Sequence, residues 1–271
     1  MEHVTAAGVR IPALGLGTWQ LTGQDCTRAV PIALELGYTA IDTAQDYGNE
    51  GEVGAALQAA AVDRGTLFLT TKVANSNHDY GDVLASVEES LRRLRTDYVD
   101  LLLVHWPVAF ETMPRTLEAM RELQDRGLAR NLGVSNFTPG QVTQAQDHIE
   151  VVNVQVERHV YLGQPELHGL AVEQDFSLTA YSPLARGRVL DDPLLREIAE
   201  AHDATPGQVA LRYLLQLDRT IVVPKATSRE HLQANLASLE LRLADGEMER
   251  IAGLERGNRL VDPPFAPDWH S

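Results

Sequence analysis

Eight short apolar runs rich in Val, Ile, Leu and Thr recur along this chain, separated by longer stretches with helical spacing, and that alternation admits few folds. The predicted strands are Ala13–Gly17, Tyr38–Asp42, Leu67–Val73, Tyr98–His105, Leu128–Val134, Val151–Val156, Leu178–Tyr181 and Thr220–Val223. Between them, Tyr80–Leu94 carries Val83, Val87, Leu91 and Leu94 on one helical face, and Pro114–Arg126 does the same with Leu117, Met120 and Leu123. No Pro/Gly/Ser-rich linker or charge run divides the chain. One domain over residues 1–271 is therefore expected, with a tail from about residue 257 to 271 over its active-site face.

Strand-helix alternation suits a closed (β/α)8 barrel or a doubly wound open sheet, and counting elements does not separate the two. The position of the polar residues favours the barrel. Almost every predicted strand ends in one: Asp42, Lys72, His105, Ser135 with Asn136, Gln155, Tyr181 with Ser182, and Lys225. A barrel gathers such residues from many strand ends onto one face, whereas an open sheet concentrates them at a single switch point. The length of 271 residues fits a barrel of typically about 250. Gly15-Leu16-Gly17 runs on as Thr18-Trp19-Gln20, without the third glycine of the Rossmann dinucleotide fingerprint.

Composition excludes several partners. The formal charge is −15, and the 23 basic residues are scattered among 38 acidic ones, so neither nucleic acid nor an anionic membrane is an expected partner. A single cysteine, Cys26, cannot form an internal disulfide, and no paired cysteines suggest zinc. The opening Met-Glu-His-Val-Thr does not read as a signal peptide, and no apolar run nears the ~20 residues of a membrane span. A cytoplasmic protein without a metal is the expectation.

Four strand-end residues carry chemistry when taken together. Lys72 follows Leu67-Phe68-Leu69-Thr70-Thr71, where a barrel would bury its ammonium, and a buried ammonium needs an anion. Asp42, at the end of the preceding strand, is the candidate partner. Tyr47 lies on the loop that follows, and a nearby cation favours its phenolate. His105 ends an apolar strand beside Trp106. Singly, these residues read as a surface lysine, a helix N-cap, a packing tyrosine and a core histidine. Jointly they could form a carboxylate-lysine-phenol relay with an imidazole that orients a carbonyl. A Schiff-base aldolase using Lys72 is a rival reading, disfavoured because Asp42 would keep the amine protonated.

At these residues the chain resembles the aldo-keto reductases across essentially its whole length. The resemblance is carried by Gly15-Leu16-Gly17-Thr18-Trp19, Asp42-Thr43-Ala44-Gln45-Asp46-Tyr47-Gly48-Asn49-Glu50, Thr71-Lys72-Val73, Leu101–Pro107, Gly133–Phe137, Ala180–Leu184 and Pro224-Lys225. It is most similar to the bacterial branch that includes 2,5-diketo-D-gluconic acid reductases. The resemblance implies a TIM barrel that reduces carbonyls with a nicotinamide cofactor. Asp42, Tyr47, Lys72 and His105 match the catalytic tetrad, with Tyr47 as proton donor, Lys72 lowering its pKa and His105 orienting the carbonyl. Ser135, Asn136 and Gln155 match the carboxamide-holding residues, and Tyr181 the ring stacked on the nicotinamide.

The remaining cofactor contacts implied are Gly17, Thr18, Ser182, Leu184, Lys225, Thr227, Ser228, His231 and Asn235. Trp19, Tyr47, His105 and Trp106 are the expected substrate walls, with Phe265 and Trp269 added from the tail. The chain departs from the family where many NADPH-using relatives carry Ser, Arg and Glu: here stand Ala226, His231 and Ala234. A neutral His is a weaker phosphate partner than Arg. Arg229 is a candidate to compensate, so NADP(H) is favoured over NAD(H). The expected partner is a small carbonyl compound and the expected state a monomer. A cofactor-sensing regulatory subunit of the same fold, catalytically weak, is the alternative function, and the complete tetrad argues against it.

Overall fold

The computed structural model describes residues 1–269; His270 and Ser271, the end of the expected tail, lie outside the described residues. It opens with an antiparallel hairpin, β1 (His3–Ala6) and β2 (Val9–Pro12), that the apolar-run pattern did not bring out. Four-residue strands with little alternation give a faint signal. The turn is legible in retrospect, because Ala7 and Gly8 both take positive φ, as a two-residue hairpin of the type I′ kind requires. Ile11 packs with Val152 and Ile221, near the amino ends of two barrel strands, and Val4, Val9 and Phe68 flank them. The hairpin thus seals the end of the barrel opposite the polar strand termini.

Eight parallel strands follow: β3 (Leu16–Gly17), β4 (Ala40–Asp42), β5 (Phe68–Val73), β6 (Val99–Val104), β7 (Ala129–Ser135), β8 (Val151–Glu157), β9 (Ser177–Tyr181) and β10 (Thr220–Val222). Each pairs with the next in sequence order. The ends join as well: Gly15 N donates to Val222 O at 2.9 Å, Val222 N to Ala13 O at 2.9 Å, and Gly17 N to Pro224 O at 3.1 Å. The predicted first strand, Ala13–Gly17, is therefore the segment that closes the barrel, although only its last two residues carry regular strand pairing.

The helices that cover the barrel are α1 (Gly23–Glu35), α2 (Glu50–Ala59), α3 (Tyr80–Leu94), α4 (Met113–Asp125), α5 (Pro139–Gln146), α6 (Pro165–Glu173), α7 (Pro193–Ala201), α8 (Pro206–Gln216), α9 (Arg229–Ala237) and α10 (Asp245–Ala252). The spacing-based prediction for α3 agrees at both ends, and that for α4 is shifted by one residue. Four of these helices begin on Pro, whose missing N–H costs nothing in the first turn. Reciprocal capping boxes, Thr138 with Gln141 and Thr205 with Gln208, fix the starts of α5 and α8.

β6 is buried at all six positions, alternate side chains pointing toward the barrel axis and toward the helical layer. That double burial is why its sequence is a continuous apolar run. The helical layer has a tight contact at Gly54 of α2. A Cβ added there would lie 2.3 Å from Arg93 O and 2.6 Å from Leu94 C at the end of α3. Helix propensity alone favours Ala over Gly by about 1 kcal/mol. The clash is with backbone, and overpacking of this kind costs about 1–3 kcal/mol. Urea unfolding of Gly54→Ala should therefore show a net loss of stability; a gain would mean that the α2–α3 contact yields readily.

Candidate active site

All the polar strand ends named from the sequence face one side of the barrel, and a cavity of about 1020 Å³ opens among them. Its lining includes Asp42, Tyr47, His105, Trp106, Ser135, Asn136, Gln155, Tyr181, Ser182, Leu184, Lys225, Gly17 and Trp19. Lys72 lies beneath this lining. Its ammonium is fully buried, and Asp42, beside it, is only 5% exposed.

The ammonium has three partners. Nζ donates to Asp42 Oδ1 at 2.6 Å, to Thr43 O at 2.9 Å and to the Tyr47 hydroxyl at 3.3 Å. A Lys head group carries three N–H donors, so each one has an acceptor. Parallel pairing of β4 with β5 sets Asp42 opposite Thr70, two residues before Lys72, and brings the two side chains together at the strand ends. The Tyr47 oxygen accepts from Lys72, which leaves its own hydrogen free to point into the cavity.

The electrostatics of this cluster are balanced rather than one-sided. Burial pushes the Tyr47 phenol up, Lys72 pulls it down, and the net direction is upward. That corrects the expectation of a lowered phenol: the cation acts in the expected sense but is outweighed by the loss of solvent. Burial pulls Lys72 down, yet Asp42 and Tyr47 more than offset it, so the ammonium stays above its ordinary range. His105 is held below the usual imidazole range by burial, against a hydrogen bond to Asp46 that raises it.

Asp42 uses its second oxygen as well, accepting from Gln155 Nε2 at 2.7 Å. A carboxylate offers no donor, so this bond turns the Gln155 amide with its oxygen away from Asp42. Asn136 Nδ2 donates to His105 O at 2.9 Å and to Ser135 Oγ at 3.0 Å, and Asn136 Oδ1 accepts from Tyr181 OH at 2.7 Å. The Asn136 amide is thereby fully engaged. Ser135 retains a hydroxyl hydrogen to donate and Gln155 an oxygen to accept, the complement of a primary carboxamide. The donor set thus fits the nicotinamide of a dinucleotide cofactor. A cavity at the upper end of the usual ~300–1,000 Å³ range also leaves room for a small substrate.

The other sequence-named residues divide into two groups. Thr18 is fully buried and donates to Asp42 O, which shapes the cavity floor from behind without facing it. Lys225 is exposed at the cavity edge, with Nζ 3.4 Å from Gln20 Oε1. Thr227, Ser228, His231 and Asn235 fall beyond the lining: Ser228 caps α9 at His231 N, and Asn235 is buried beside Tyr38. Arg229, the candidate to replace a missing phosphate partner, forms an ion pair with Glu35 on α1. Compensation at that site would require breaking this pair.

Several lining residues escaped sequence reading. Asp46, Asn75, Arg186, Leu260, Val261 and Asp262 all border the cavity. Asp46 stood inside the recognised motif, next to Tyr47, and its charge was the available signal. Arg186 lies on a loop with positive φ at Ser182, Ala185, Arg186 and Gly187, and its guanidinium sits 5.7 Å from the Trp19 ring. The tail is brought in by Glu157, a fully buried carboxylate at the end of β8. It accepts the backbone N–H groups of Leu260 and Val261 at 2.9 Å each. Phe265 and Trp269 meet the Trp106 ring edge-on, with centroids at 5.4 and 6.2 Å.

A parallel barrel with a buried Lys-Asp pair under a tyrosine, at the mouth of a cavity fitted for a carboxamide, defines a class of nicotinamide-using barrel oxidoreductases. The chain belongs to the Aldo/keto reductase family, whose pattern matches residues 13–256. It is similar to an aldo-keto reductase of Mycolicibacterium smegmatis (strain ATCC 700084 / mc(2)155), 40% identical over 260 residues that cover 95% of this chain and 94% of the relative. It is 39% identical to methylglyoxal reductase DkgB of Escherichia coli O157:H7 over 265 residues, 96% and 99% of the two chains. A crystal structure presented as that of a proposed 2,5-diketo-D-gluconic acid reductase B superposes with a TM-score of 0.97 at 42% identity, covering 99% of this chain and 98% of the other. The protein is accordingly an oxidoreductase of the carbonyl-reducing kind. Among the described residues no helix is long and apolar enough to cross a membrane, and no group of His, Cys, Asp and Glu is arranged to hold a metal.

Removing one member of a buried ion pair strands the other, at a cost of about 3–5 kcal/mol. Lys72→Met should lose stability on that scale in urea unfolding near neutral pH. A loss well below that range would show that Asp42 finds another counter-charge.

Proposed function

We propose that this protein reduces small aldehydes and ketones to alcohols with a nicotinamide cofactor, and that Tyr47 delivers the proton. The observation that carries the reading is Lys72, whose buried Nζ spans Asp42 Oδ1 at 2.6 Å and the Tyr47 hydroxyl at 3.3 Å beneath the cavity. The bound nicotinamide would supply the hydride. The chain must then supply a proton to the carbonyl oxygen and tolerate the negative charge left behind. Tyr47 has a free hydroxyl hydrogen facing the cavity, and the phenolate formed when it leaves lies against an ammonium that already donates to its oxygen. Asp42 and Thr43 O hold that ammonium in place and keep it protonated, which makes Lys72 a poor amine nucleophile and weighs against an aldolase.

Ser135 and Gln155 are the residues proposed to hold the carboxamide, with Asn136 and Tyr181 tied to each other behind them. Trp19, Trp106, His105 and Phe265 would wall the substrate. The methylglyoxal reductase relatives suggest a small dicarbonyl as a first substrate to try. NADP(H) is favoured over NAD(H), since Lys225 and Arg186 place two cations at the cavity edge. His231 in place of an arginine and the Arg229–Glu35 pair moderate that preference. The whole chain is proposed to act as one monomeric, cytoplasmic catalytic domain whose tail from about residue 257 covers the active-site face. Nucleic acid, membrane and metal have no part in this reading.

Nicotinamide absorbance during reduction of methylglyoxal should show turnover in the wild type. In Tyr47→Phe the rate should fall about 10²–10⁴-fold, with cofactor binding by fluorescence titration retained. Binding without turnover in the wild type, on any aldehyde or ketone, would instead favour a cofactor-sensing regulatory subunit. For the cofactor, Lys225→Ala should weaken NADPH binding more than NADH binding. Equal weakening of both would remove Lys225 from recognition of the extra phosphate.

A further inference from the structure

Among the described residues, Asp46 is the one carboxylate at the cavity edge whose side chain is bonded to His105. It lies in the short turn Gln45–Tyr47, and its Oδ2 is 2.9 Å from His105 Nδ1. The Tyr47 ring meets the same imidazole edge-on at 5.6 Å, so consecutive residues of one turn hold the ring from two sides. The backbone of His105 is fixed independently, by Asn136 Nδ2 on its carbonyl and by Val73 O on its N–H. The His105 side chain is 13% exposed and that of Asp46 40%, so the carboxylate is hydrated while the ring is mostly enclosed.

A carboxylate only accepts, so the proton in this hydrogen bond belongs to Nδ1. An imidazole that donates from Nδ1 and is neutral has a bare lone pair on Nε2. Such a ring can accept a hydrogen bond from a hydroxyl but has nothing to donate to a carbonyl oxygen. We propose that Asp46 is a positioning residue that fixes His105 in its Nδ1–H form, so that Nε2 meets a bound carbonyl as a donor only in the imidazolium and meets the alcohol product as an acceptor in the neutral ring. The proposal rests on the reductase reading above and adds to it a division of labour by direction: the charged ring serves reduction and the neutral ring serves alcohol oxidation.

The charged and titratable groups facing the ring are few. Asp46 and, behind the tyrosine, Asp42 favour the imidazolium, whereas Lys72 and burial disfavour it. His78, buried with its Nδ1 3.3 Å from Val108 O, is also depressed by burial and adds a like charge only when it protonates. Among these, Asp46 alone is bonded to the ring.

The test uses the full chain, labelled with ¹⁵N-histidine, with His105→Gln to assign the ring signal. Long-range ¹H–¹⁵N spectra across pH should show the proton on Nδ1 in the neutral wild type. In Asp46→Asn, whose amide oxygen can still accept, the tautomer should persist while protonation moves to lower pH. In Asp46→Leu the proton should shift toward Nε2. In parallel, kcat/KM for methylglyoxal reduction should rise as His105 protonates. Asp46→Asn, which keeps the tautomer, should move that rise to lower pH and lose roughly tenfold between the two midpoints, the worth of about one hydrogen bond of 1.4 kcal/mol. Asp46→Leu should lose less, because its neutral ring can donate from Nε2. A wild-type proton on Nε2, or a ring titration that neither variant moves, would overturn the role of Asp46 even with turnover intact. No turnover in the wild type with the Nδ1–H form present would overturn the reductase reading, and the carbonyl half of this proposal with it.

Discussion

The ammonium of Lys72 is the constraint around which the rest of the site is arranged. A fully buried cation is tolerated only if its donors are all satisfied and a counter-charge is close. Asp42 Oδ1, Thr43 O and the Tyr47 hydroxyl meet that demand from one strand end and the loop after it. The counter-charge then has an oxygen to spare, and Asp42 Oδ2 takes Gln155, 113 residues away in sequence. A single buried charge therefore orients the phenol on one side and an amide on the other. Its energetic necessity keeps the geometry of both fixed.

This arrangement depends on barrel closure. Asp42, Lys72 and Gln155 come from β4, β5 and β8, and only a closed cylinder brings β8 across the axis to β4. The closing bonds between Ala13–Gly17 and Val222–Pro224 are backbone bonds made by a segment with little regular strand of its own. The hairpin packed against Ile221 and Val152 supports them from the opposite end. Stability and chemistry are separated along the barrel axis in this way: apolar packing collects at the amino ends of the strands, and buried polar groups at the carboxyl ends.

A second buried carboxylate has a comparable structural role. Glu157, itself fully buried, accepts two backbone N–H groups from the half-buried tail and the Nε2–H of the buried His159. These bonds replace the water that Glu157 gave up and draw Leu260–Phe265 over the cavity, where Phe265 and Trp269 meet Trp106. Glu50 acts likewise between layers: it takes Thr71 of β5 at one oxygen and Arg93 of α3 at the other. In each case the polar group is buried because the partner is supplied by an element distant in sequence.

The strand order, the lengths of α3 and α4, and the membership of Asp42, Tyr47, Lys72 and His105 in one polar face were legible in the sequence. Period, strand-end chemistry and motif spacing are local properties, and the chain carries them before it folds. The hairpin went unread because four-residue strands have too short a period to register. Tertiary structure alone decided the balance at Tyr47, where burial outweighs the cation, since solvent exclusion depends on every neighbour at once. It also decided that Arg229 faces Glu35, that Thr227, Ser228, His231 and Asn235 stop short of the cavity lining, and that Asp46 reaches His105 from 59 residues away. The sequence by itself determined which chemical groups stand at the strand ends. Which of them share a proton, a counter-charge or a surface was decided by closure of the barrel, because hydrogen bonds act over about 3 Å and only the folded chain sets distances on that scale.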